Sequence, residues 1–102
     1  MKIYWSKEAL HRLQDIENYI SKDNPIVAID FIDKLITLAE SLVDNPEIGR
    51  VVPELSISNI KEILYKNYRI VYLLKENTID ILTIFEGHQL LKKEEISKNT
   101  YK

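Results

Sequence analysis

Tyr68-Arg69-Ile70-Val71-Tyr72-Leu73-Leu74, followed five residues later by Ile79-Asp80-Ile81-Leu82-Thr83-Ile84-Phe85, is too apolar on both faces to lie on a protein surface. Side chains alternate across a strand, so Tyr68, Ile70, Tyr72 and Leu74 share one face, and Val71 and Leu73 the other. The same reading sets Ile79 and Ile81 against Leu82 and Ile84. Strands of this kind need cover on both sides. The pairs Lys66-Asn67 and Asn77-Thr78 read as short turns, and strands are expected at about residues 57–65, 68–76 and 79–86, an antiparallel meander.

The cover for one face lies upstream. Ala9, Leu13, Ile16 and Ile20 recur at helical spacing behind Ser6, a natural N-cap, with Glu8 placed to favour the helix dipole; the helix runs to about residue 21. Asn24-Pro25 caps and opens a second helix, whose seam is Ala28, Phe31, Leu35, Leu38 and Leu42, widened by Ile32, Ile36, Ala39 and Val43. Lys2 to Trp5 suits a short first strand, and residues 46–53, with two prolines and a glycine, read as a loop. The expected class is α+β, of order β-α-α-β-β-β, with the sheet packed on a helical hairpin and a brief C-terminal helix beginning at Leu90-Leu91. The hairpin covers one face only. The other is expected to be closed by the tail from Leu90 onward, by a second copy in a homodimer, or by a different chain.

At 102 residues the chain has the size of a single domain, here 1–102. It has no cysteine, so disulfides and thiolate metal sites are excluded, and His11 has no second ligand one helical turn on; neither a metal nor a cofactor is expected. The opening residues lack the apolar stretch of a signal peptide and no run reaches the roughly 18–20 apolar residues of a membrane helix, which leads to the expectation of a cytoplasmic protein with no membrane role. The formal net charge of −2 argues against sequence-independent RNA or DNA binding. Charge is uneven: from Lys7 to Glu47 there are four basic and nine acidic residues, so any basic face belongs to the second half.

Several strings, in this order along about 90 residues, resemble the RelE/ParE toxin superfamily. Trp5 before the Ala9–Leu13–Ile16 helix looks like its opening, and Asn24-Pro25 with Ala28 and Phe31 like its second helix. Pro46 with Gly49-Arg50 resembles its "P..GR" loop, and Lys61-Glu62 followed by Tyr68-Arg69-Ile70-Val71-Tyr72 its "RE....YRIVY" strand pair. Ile81 to Phe85, then Gly87 and Leu90-Leu91, resembles the "I..VFHG.R.L" ending. The resemblance implies the toxin of a type II toxin–antitoxin pair, silenced by a cognate antitoxin. Members either cut messenger RNA on the ribosome, as RelE-like enzymes do, or poison DNA gyrase, as ParE-like inhibitors do.

A nuclease would need a base, an acid and cations around the scissile phosphate, and Lys61, Arg69, Tyr72, Glu86 and His88 are the residues offered. Glu86 stands where the superfamily often has His, and Gln89 where it often has Arg; His88 sits one residue along, where a strand's side chain emerges on the opposite side. The ParE-like, non-enzymatic reading therefore ranks first, with a non-toxic interaction domain as a third. For target binding the candidates are Arg50, Lys61, Arg69, His88 and Gln89; for partner binding they are Tyr68, Tyr72, Leu90 and Leu91. The structural alternatives are an ion pair from Arg69 to Glu62 or Asp80, an anchor from Arg50 to Glu54, and core packing for the tyrosines.

Overall fold

The computed structural model describes residues 1–87. Strand β1 (Lys2–Trp5) leads into helix α1 (Lys7–Ser21), helix α2 (Pro25–Glu40) and a single 3-10 turn (Ser41–Val43). Strands β2 (Arg50–Val51), β3 (Ile60–Tyr65), β4 (Tyr68–Leu74) and β5 (Thr78–Glu86) follow. The sheet order is β1-β5-β4-β3-β2. The α+β class and the hairpin-on-sheet arrangement hold, with two differences. The sheet is mixed, because β1 lies parallel to β5, and it has five strands, because Arg50 and Val51 pair with Glu62 and Lys61. His88, Gln89, Leu90, Leu91 and the short terminal helix expected there lie outside the described residues.

Both helices start where their caps dictate. Asn24 accepts from the amides of Ile26 and Val27 at 3.0 and 3.2 Å, with Pro25 in the first turn. Ser6 does more. Its hydroxyl accepts from the Ala9 amide at 2.9 Å and donates to the Leu82 carbonyl at 2.7 Å, while its own amide donates to the Ile81 carbonyl at 3.0 Å. The first turn of α1 is thereby fastened to the middle of β5.

The Leu82 carbonyl belongs to a bulge. Val71 pairs with Thr83 and Tyr72 with Ile81, leaving Leu82 as the extra residue on β5. Strict alternation would put Ile84 with Leu82, as the sequence reading does. The bulge reverses the phase, so Ile79, Ile81 and Ile84 all join Ile70 and Tyr72 beneath Leu13, Ile16, Leu35 and Leu42 of the helical layer. Leu82 and Phe85 face the other way.

On that second side the chain supplies cover of its own. Residues 52–57 fold back as a flap: the amides of Leu55 and Ser56 donate to the Val52 carbonyl, and Ser56 takes a left-handed φ of 53°. Val52 and Leu55, with Ile57 alongside, pack with Ile60, Val71, Leu73, Leu82 and Phe85 into a second core. Each large side chain buried there is worth about 1.5–3 kcal/mol, so Val52 and Leu55 of the flap together reach the lower end of the roughly 5–15 kcal/mol by which a domain is stable. The flap is therefore part of the fold, where the sequence reading looked only to the tail, a copy or another chain.

Ser6→Ala removes a helix cap and strands a carbonyl at the bulge. It is expected to lower unfolding free energy by about 1–3 kcal/mol in urea denaturation, and Ser6→Thr to retain most of it.

Candidate functional site

The charged and aromatic side chains of the second half converge where β2, β3 and β4 meet the loop before β2. On the face turned from the helices, Ile60, Glu62 and Leu64 of β3 alternate with Lys61, Ile63 and Tyr65, and Arg69 lies diagonally across from Glu62 in the β3–β4 ladder. The Glu62 side chain is fully buried, and both its oxygens are taken. Oε1 accepts from Nε of Arg69 and Oε2 from Nε of Arg50, each at 2.7 Å. Arg69 continues the chain of charge to Glu54 of the flap through Nη2, also at 2.7 Å. Its guanidinium carbon stands 4.7 Å from the centre of the Phe85 ring. The Glu54 carboxylate, then the Glu62 carboxylate, hold the Arg69 proton more tightly than usual despite the opposing effect of burial.

Tyr72 secures the loop from beneath. Its hydroxyl donates to the Pro46 carbonyl at 2.8 Å and accepts from the Gly49 amide at 3.0 Å. Burial, the largest cause, pushes the phenol up from its usual range. A Cβ on Gly49 would stand 2.5 Å from the Tyr72 hydroxyl oxygen and 2.8 Å from the Glu62 carbonyl oxygen, so glycine is required here by close approach. Lys61 adds a looser tie, its ammonium 3.6 Å from Glu47. The Pro46–Gly49–Arg50 pattern thus has a physical content: a carbonyl for Tyr72, a bare backbone over its ring, and a cation for Glu62.

The structural partners differ from the sequence reading in two places. Arg69 pairs with Glu62 and Glu54, while Asp80 goes to Lys75 at 2.7 Å. Arg50 pairs with Glu62 and not with Glu54. That Glu62 serves two arginines at once was missed; its place in phase with Ile60 on a strand covered on that side was the available signal.

Arg50, Lys61, Arg69 and Tyr72 are brought together around this loop. Tyr68 and Glu86 are not. They pair with each other at the far end of the sheet and line a cleft with Arg12, Asp15, Ile16 and Tyr19. Tyr68 stands edge-on to Phe31, and its phenol is raised first by burial and then by Glu86 and Tyr19. His88, Gln89, Leu90 and Leu91 lie outside the described residues. Of the described candidates, Arg50 alone keeps most of its side chain in solvent, 62%. Among the described residues no group of three or more His, Cys, Asp or Glu is arranged to hold a metal, and no helix is long and apolar enough to cross a membrane.

Arg69→Ala leaves Glu62 with only its solvent-side partner and is expected to cost about 3–5 kcal/mol of stability by chemical denaturation. Gly49→Ala must move either the Tyr72 ring or the β3 backbone, and is expected to cost about 1–3 kcal/mol in the same measurement.

Comparison with known proteins agrees with this architecture. A family model described as the ParE toxin of type II toxin–antitoxin system, parDE, matches residues 3–91, from β1 through the loop, Glu62, Arg69 and Tyr72 to beyond β5. A curated relative from Sinorhizobium fredii (strain NBRC 101917 / NGR234), named "Putative toxin Y4kP", is 31% identical over 90 residues, covering 86% of this chain and 90% of that protein. A chain from the solved structure titled "Chromosomal ParDE TA system from P. aeruginosa" superposes with a TM-score of 0.71 over 84% of this chain and 95% of that one. At 18% identity that likeness speaks for the fold. With the family pattern spanning nearly the whole sheet and hairpin, the chain belongs to the ParE toxin family of type II toxin–antitoxin systems.

Proposed function

We propose that this toxin arrests growth by binding and inhibiting a protein target, DNA gyrase, and that a cognate antitoxin neutralises it. The observation that carries the binding mechanism is the engagement of Arg69 and Tyr72. In a nuclease reading these two would meet the scissile phosphate, yet Arg69 is buried between two carboxylates and the Tyr72 hydroxyl is held between Pro46 and Gly49. A guanidinium already neutralised by Glu62 and Glu54 is a poor stabiliser of a phosphorane. A phenol held protonated by burial is a poor base. The net charge of −2 points the same way, since an RNA substrate favours a basic surface. The resemblance to the ParE-like branch supports gyrase as the target, with the cytoplasm as the site of action.

Expression of the chain alone in a bacterium is expected to stop growth, and co-expression of the adjoining reading frame to restore it. Purified protein is expected to inhibit DNA supercoiling by gyrase while leaving messenger on translating ribosomes intact. Codon-positioned cleavage without gyrase inhibition would assign the RelE-like activity instead; unimpaired growth at confirmed soluble expression would leave a binding domain without toxicity.

A further inference from the structure

We propose that the groove between the end of α2 and the outer edge of β3 receives an extended segment of the antitoxin, with an aliphatic side chain on the groove floor and a carboxylate on Arg50. The proposal rests on the neutralisation reading above and names where and by what chemistry it occurs.

The groove is lined by Leu38 and Ser41 of α2 and the following turn, by Ile48, and by Ile63 and Leu64 of β3, with Arg50 and Glu62 at one side. It is apolar and it is open: Ile48 is 62% exposed and Leu64 56%. Large aliphatic side chains left so in a small domain mark a contact surface when they are contiguous. The strand edge beside it is also open. β2 pairs with β3 only at Lys61 and Glu62, so from Ile63 onward no strand of the described residues lies against that edge. An extended backbone can run there in line with β2, as peptides do on unpaired sheet edges.

Arg50 supplies the charge selection. Its Nε is fixed on a carboxylate that is itself buried and shared with Arg69, so the guanidinium plane is held in place. Its two terminal nitrogens make no hydrogen bond to any described residue. A guanidinium presented with that edge free is a preorganised receptor for one carboxylate, and little rotamer entropy remains to be lost on binding. A polyanion such as nucleic acid fits less well. The other polar groups of the lining are Ser41, whose hydroxyl already donates to the Leu38 carbonyl, and the carboxylate of Glu62, and Glu40 and Asp44 lie on either side of the turn that follows α2.

The test is calorimetric titration of the full chain with the purified product of the adjoining reading frame, at low and high salt. Arg50→Ala is expected to weaken binding by at least about tenfold and to flatten its salt dependence, and Arg50→Lys to recover only part, since a point charge lacks the fork. Leu64→Asp replaces the exposed aliphatic side chain while leaving Arg50 in place, and is expected to weaken binding to a similar degree. Lys34→Ala, on the outer face of α2, is expected to change nothing. If the product binds wild type and all four variants alike, the groove is not the site, although the neutralisation reading stands. If it binds none of them, wild type included, the neutralisation reading falls and the docking surface with it. Self-association of the chain that Leu64→Asp abolishes would give the groove to a second copy and overturn the proposal.

Discussion

Glu62 is a carboxylate at 1% exposure, and everything built around the sheet's outer edge depends on its being matched. An isolated charge in such a place would cost several kcal/mol, so the fold supplies it with a donor for each oxygen. Arg69 arrives from the neighbouring strand, Arg50 from the short edge strand, and Glu54 of the flap balances the second charge on Arg69's side. The series runs plus, minus, plus, minus from solvent through the sheet to the flap. Because its members sit on separate pieces of chain, the network joins β2, the β3–β4 hairpin and the flap into one unit.

The same junction is braced from the helix side by Tyr72, whose ring belongs to the main core while its hydroxyl holds the loop backbone at two points. The two devices act on consecutive residues, Gly49 through its amide and Arg50 through its side chain. Together they convert a stretch with two prolines and a glycine into a defined edge strand. Pro46, Gly49, Arg50 and Tyr72 all take part in holding this junction, and one of them, Arg50, is held so that part of it still faces outward.

Much of the fold was legible because it is written in local periods. Leu13 and Ile16 on one helix, Ala28 and Leu35 on the other, and the alternation of Tyr68 to Leu74 all sit as their spacing says. What failed was non-local or aperiodic. Two residues, Arg50 and Val51, carry no period of their own, so in sequence the edge strand looks like loop. Ile57 is apolar but belongs to the flap, so the strand pattern begins three residues ahead of β3 itself. The bulge at Leu82 breaks alternation without any glycine to announce it, and the ion-pair partners of Arg50 and Arg69 depend on which face each strand turns to the flap. The candidate residues at the terminus, His88 to Leu91, fall beyond the described chain.

The parallel pairing of β1 with β5 has a consequence in time. The partners of Lys2 to Trp5 are Thr78 to Ile81, made 76 residues later, and the Ser6–Leu82 bond spans 76 residues. At about 5–20 residues per second, the opening strand waits on the order of 4–15 s before anything exists for it to pair with. The sheet closes only when β5 has been synthesised, so a translation product cut short ahead of it lacks the frame that shapes a toxin.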